Sequence, residues 1–120
     1  MAQFRFIEGE GDRRSKVRVV TALRALDHWY NRLPFTMLER LHASERVAFP
    51  AEDLARMADR LTDIAWGHFS AQRDAGRLLE HAEHWHRTLP ADLREELEYY
   101  GYEFPAAALE EARAALNRRD

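Results

Sequence analysis

Histidines are the residues in this chain best suited to metal binding, and three of the six lie in the segment EHAEHWHR. His81 and His84 are three residues apart, a spacing that places both on one face of a helix. Two neutral imidazoles on one helix face can ligate a shared metal ion. Solvated histidines on a polar face give the same pattern, and no His-Glu-x-x-His motif is present. We therefore expect no cofactor and keep His81 and His84 as ligands of an alternative, metal-binding protein.

A basic cluster early in the chain could contact phosphate groups. It consists of Arg13, Arg14, Lys16 and Arg18. Elsewhere basic and acidic residues are interspersed, and the net charge is −3. Neither half is basic enough to indicate a nucleic-acid-binding surface by itself. A small helical subunit that contacts nucleic acid through this cluster is therefore an alternative that we do not favour.

Aromatic residues are concentrated in the segment YYGYEFP, whose side chains could anchor a protein interface. Tyrosine supplies a large contact area at a low entropy cost, which is typical of interface hot spots. Tyrosines that only pack the end of a helical bundle are the alternative interpretation. Near the beginning of the chain, the segment QFRFIE adds two more aromatic residues. The predicted interface residues are Tyr99, Tyr100, Tyr102, Phe104, Phe4 and Phe6.

No residue pattern indicates catalysis. The chain contains no cysteine, and Ser15, Ser44 and Ser70 lie outside any nucleophile-elbow motif. Gly9-Glu10-Gly11 is followed by an acidic residue and indicates a turn, not a phosphate-binding loop. We therefore expect that the protein is not an enzyme.

The elements that position these residues follow from an internal repeat. Residues 23–61 align with residues 79–116, with twelve identical positions and one residue dropped from the second copy. The shared features include His-Trp, Leu-Pro and Phe-Pro pairs. An internal repeat of this length indicates a structural unit that occurs twice. Features present in both copies are expected to be structural, whereas features of one copy are expected to serve function.

Apolar residues at three- and four-residue steps predict helices in both copies. Each proline of the Leu-Pro and Phe-Pro pairs is expected to end one helix or open the next. Gly67 is expected to end the third helix and Gly101 to provide a left-handed cap. We predict an all-α fold of about six helices in two pseudo-symmetric three-helix repeats, with Trp29 and Trp85 at the centre of the core.

The whole chain of 120 residues is expected to form a single helical domain. Its predicted parts are an N-terminal arm or strand (1–11), a first repeat (12–66) and a second repeat (70–118). No stretch is apolar enough for a signal peptide or a membrane span, so we expect a cytoplasmic protein without membrane contact. The predicted function is non-catalytic: a protein-interaction module or small subunit of a larger assembly, with a homodimer as one form.

Overall fold

A computed structural model describes residues 10–117 and folds them into six α-helices. The helices are α1 (Glu10–Asn31), α2 (Phe35–Ser44), α3 (Ala51–Asp63), α4 (Phe69–Thr88), α5 (Ala91–Tyr99) and α6 (Ala106–Asn117). This range contains no strand, so the predicted all-α class is confirmed. Helix α1 begins two residues before the predicted boundary at Asp12. Residues 1–9 of the predicted arm lie outside the described part.

Four prolines stand immediately before the helices that follow the Leu-Pro and Phe-Pro pairs. They are Pro34, Pro50, Pro90 and Pro105. All four proline carbonyls accept hydrogen bonds of 3.0–3.3 Å from backbone N–H groups three or four residues further along the chain. A proline lacks an N–H group that the start of a helix would leave unpaired anyway, so it costs nothing at this position.

The expected end of the third helix at Gly67 is wrong. Helix α3 ends at Asp63, and the next residue, Ile64, is extended (φ −119°, ψ 160°). The Ile64 carbonyl accepts a hydrogen bond of 2.8 Å from Lys16 Nζ on α1. A lysine ammonium satisfies a carbonyl at a helix C-terminus and interacts favourably with the helix dipole. A cap supplied from a distant helix therefore replaces the local glycine cap that we expected.

Four helices form the body of the fold. Helix α1 packs along α3 and α6, and α4 contacts the same two helices less extensively. Helices α3 and α6 therefore each contact both long helices, α1 and α4. The apolar faces of all four helices point inward, and leucines and alanines make up most of the buried residues. None of the six helices within residues 10–117 combines the length and apolar character needed to cross a bilayer.

The two tryptophans of the His-Trp pairs lie in the core, as predicted. Trp29 is 6% exposed and Trp85 is fully buried. Their ring centroids are 5.8 Å apart with the planes at 76°, an edge-to-face arrangement. Such pairs are favourable because the positive edge of one ring meets the negative face of the other. Phe49 packs against both rings, with centroid distances of 6.1 Å to Trp29 and 4.7 Å to Trp85.

Each indole N–H donates to a loop in the other half of the chain. Trp29 Nε1 donates to the Tyr102 carbonyl at 3.0 Å, and Trp85 Nε1 donates to Glu45 Oε2 at 2.7 Å. Glu45 follows α2, and Tyr102 lies between α5 and α6. The helices also follow the same order of lengths in the two halves: long, short and intermediate. These correspondences fit the predicted repeat, but superposition of the two halves stays a prediction.

Candidate interaction surface

The tyrosine-rich segment is positioned by the end of α5. Gly101 has a φ of +84°, the left-handed conformation expected for it. Its N–H donates to the Glu98 carbonyl at 3.0 Å, and the Tyr102 N–H donates to the Leu97 carbonyl at 2.8 Å. This pair of hydrogen bonds defines a Schellman motif, which reverses the chain after a helix. Tyr100 and Tyr102 therefore flank a tight, hydrogen-bonded turn.

The four predicted interface residues of this segment differ in exposure. Tyr99 is 83% and Tyr100 is 61% exposed, and their rings meet edge to face at 5.1 Å. Tyr102 and Phe104 are partly buried and pack against the core. The rings of Phe104 and Trp29 are arranged edge to face, with their centroids 5.2 Å apart. The first two residues are thus available to a partner, while the other two also support the core. The predicted arm residues Phe4 and Phe6 lie outside the described residues.

A cleft of about 360 Å³ lies between the start of α2 and the end of α5. Its walls are formed by Pro34, Thr36, Met37, Arg40, Glu96, Tyr100 and Tyr102. Arg40 on α2 forms an ion pair with Glu96 on α5 at one side of the cleft. The mixture of apolar groups, hydroxyls and an ion pair suits a peptide side chain with both apolar and polar groups.

Sequence reasoning missed the contribution of α2 to this surface. Phe35 lies between the cleft residues Pro34 and Thr36 and is 75% exposed. Among the other apolar residues of α2, Met37 and Leu41 are buried and Leu38 is half-buried. Phe35 itself does not border the cleft. We call Tyr99, Tyr100 and the cleft between α2 and α5 the tyrosine surface.

Each half of the chain contains one pair of stacked aromatic rings. Tyr30 stacks on Phe49 with centroids 4.3 Å apart, and His86 stacks on Phe104 at 4.0 Å. Burial, and then the carboxylate of Glu45, raise the pKa of Tyr30. The Tyr30 hydroxyl shares a 2.7 Å hydrogen bond with His42 Nε2.

His86 occupies the position in the second half that Tyr30 occupies in the first. Burial lowers the pKa of His86 to about 4, and the guanidinium of Arg94 contributes to the decrease. The ring is therefore neutral at pH 7. A neutral imidazole stacks on Phe104 without the cost of a buried charge.

The basic cluster has a structural role in part. Lys16 donates to the Ile64 carbonyl, as described above, whereas Arg13, Arg14 and Arg18 are exposed on α1. A lysine that caps α3 is less available to a phosphate. Contact with nucleic acid through this cluster stays a prediction.

The histidines proposed as alternative metal ligands are both exposed on α4. His81 borders a second cleft, between α3 and α4, while His84 does not. Residues 10–117 contain no group of three histidine, aspartate or glutamate side chains placed to hold a metal ion. Metal binding through His81 and His84 stays a prediction. That the protein is not an enzyme also stays a prediction.

Comparison with known proteins adds no relative. The chain matches no protein-family model, no curated protein and no solved structure.

Proposed function

We propose that the protein is a helical protein-interaction module that binds a partner protein, or a second copy of itself, through the tyrosine surface. The observation that supports this proposal is the exposure of Tyr99 and Tyr100 beside a cleft that is bordered by an ion pair. Burying one such aromatic side chain at an interface contributes about 1.5–3 kcal/mol. Two adjacent rings thus provide enough free energy to act as a hot spot.

The arrangement around the rings fits the usual anatomy of an interface. Apolar anchors form its centre, and polar groups surround them. Here Tyr99 and Tyr100 supply the apolar area, while the Arg40–Glu96 ion pair and the Thr36 hydroxyl supply polar contacts. The Schellman motif holds the end of α5 in one conformation, so little backbone entropy is lost on binding.

The experiment compares two sets of substitutions of exposed aromatic residues. The test variant is Tyr99→Ser with Tyr100→Ser, and the control is Phe69→Ser. Phe69 is 74% exposed at the start of α4 and lies outside the cleft. None of the three side chains is buried, so we expect each variant to fold. Circular dichroism and urea denaturation verify this.

Sedimentation velocity over a range of concentrations measures self-association. Quantitative affinity capture from the native host measures binding of other proteins. We expect the double variant to associate at least tenfold more weakly, and the Phe69→Ser variant to behave as the wild type. The proposal is wrong if the double variant retains wild-type sedimentation and captures the same proteins in the same amounts.

A further inference from the structure

The cleft between α3 and α4 is distinct from the tyrosine surface and has a volume of about 370 Å³. The residues that border it recur at three- and four-residue steps on both helices, so it follows two facing helix surfaces for about two turns. Met57 from α3 and Leu78 from α4 give it an apolar floor, and both side chains are half-buried. Its volume falls within the range of small-molecule sites, roughly 300–1,000 Å³.

The charges around this floor are unevenly neutralised. Arg60 on α3 pairs with Asp74 on α4 at 3.2 Å, which fixes one ion pair across the cleft. Arg56 is 3.6 Å from Asp53, but both side chains are more than 60% exposed, so this pair contributes little. Arg77 has no ion-pair partner among residues 10–117.

The positions of the free groups show where an anion would bind. Arg77 and His81 are four residues apart and border the cleft from the same face of α4. The guanidinium group offers paired N–H donors that match the geometry of a carboxylate. The imidazole ring of His81 offers a further N–H donor. Leu78 borders the same cleft, so a ligand whose anionic group binds Arg77 and His81 could place its apolar part over the floor.

We propose that this cleft binds a monocarboxylate with an apolar body, of the kind represented by a medium-chain fatty acid or an aromatic acid. The carboxylate binds Arg77 and His81, and the apolar part covers Met57 and Leu78. A single negative charge is favoured because the lining carries three guanidinium groups and two carboxylates, a net charge of +1. The two carboxylates oppose a doubly charged ion such as inorganic phosphate.

The test titrates the full-length, ¹⁵N-labelled protein at low salt with octanoate, 1-octanol or acetate, and follows amide and histidine-ring signals by NMR. We expect octanoate to shift the signals of Met57, Leu78 and the His81 ring. Octanol lacks the charge and acetate lacks the apolar chain, so each should bind at least tenfold more weakly than octanoate.

Two substitutions of exposed arginines on α4 provide the variant and its control. Arg77→Gln removes the free guanidinium group, and we expect it to weaken octanoate binding at least tenfold. Arg87→Gln changes the charge equally but lies outside the cleft, so binding should remain at the wild-type level.

The proposal is wrong if octanoate leaves the Met57 and Leu78 signals unchanged, or if Arg77→Gln and Arg87→Gln weaken binding equally. Acetate or 1-octanol binding as tightly as octanoate would also overturn it, because the apolar floor or the carboxylate would then contribute nothing. None of these outcomes bears on the tyrosine surface.

Discussion

The stack of His86 on Phe104 predicts that stability falls when the solution is acidified. Burial and the neighbouring Arg94 lower the pKa of His86 to about 4 from its ordinary value of 6.5. Above pH 6.5 the ring is neutral in both the folded and the unfolded state, and its full contribution to stability is present. As the pH falls from 6.5 towards 4, the unfolded state takes up a proton that the folded state excludes, so the free energy of unfolding decreases.

The size of the decrease follows from the shift. Each unit of pKa difference corresponds to about 1.4 kcal/mol, which for a fully buried group would amount to about 3 kcal/mol. His86 is only partly buried, and water screens its charge, so we expect about 1–2 kcal/mol over the whole window. About 1 kcal/mol of this should be lost between pH 7.5 and pH 5, where most carboxylates are still ionised.

The assay is urea denaturation at several pH values between 7.5 and 5, followed by tryptophan fluorescence. The informative variant is His86→Tyr, because tyrosine occupies the equivalent stack on Phe49 at Tyr30. We expect the wild type to lose about 1 kcal/mol more than this variant across the window. The control is His84→Tyr on the same helix, at an exposed position, which should keep the wild-type pH dependence.

Comparing the variants cancels the contribution of the other histidines. Parallel stability curves for the wild type and His86→Tyr would refute the reasoning. So would an increase in the stability of the wild type on acidification that His86→Tyr lacks.

Further substitutions test the turn after α5 and the indole hydrogen bonds. Gly101→Ala should lower the free energy of unfolding by about 1–2 kcal/mol, because a residue with a Cβ is strained at a φ of +84°. Steric contact does not contribute, since the added Cβ would meet nothing within 4 Å. Gly76→Ala on α4 should raise it by about 0.5–1 kcal/mol, since its Cβ would make an ordinary 3.6 Å contact with Leu116. The two predictions are contradicted if urea denaturation shows that both substitutions change the free energy of unfolding in the same direction. Glu45→Ala leaves the buried indole N–H of Trp85 without an acceptor and should cost about 1–3 kcal/mol. Glu45→Gln retains an amide oxygen and should cost less, so equal losses would exclude the proposed role of the acceptor.

Local features of the fold could be predicted from the sequence. Apolar periodicity indicated the helices, and the prolines marked where α2, α3, α5 and α6 begin. Gly101 adopts the predicted left-handed conformation because only the backbone near it decides its φ. The burial of Trp29 and Trp85 followed from their positions on the apolar faces of long helices. Each of these predictions depends on residues close together in the chain.

The parts that could not be predicted depend on contacts between distant residues. Lys16 caps the Ile64 carbonyl, 48 positions away, and α3 ends at Asp63 instead of Gly67. The tyrosine surface includes the start of α2 because Arg40 meets Glu96 on α5. Arg77 and Met57 share a cleft only because α3 and α4 are neighbours. Periodicity identifies which face of a helix is apolar, but it does not identify the helix that this face contacts.

The differences between the two halves indicate how the molecule divides structure from function. The contacts that hold the centre together are paired. Trp29 and Trp85 each donate to a loop of the other half, and each Phe-Pro phenylalanine stacks on the residue that follows one of these two tryptophans. This correspondence between the two halves does not extend to the ends of the short helices, α2 and α5. The second half carries Tyr99 and Tyr100 where the first carries Ala43 and Ser44. Replacing two small residues by exposed tyrosines adds nothing to the core, since neither ring is buried. Two adjacent exposed rings form an apolar patch, which the proposed interface would cover.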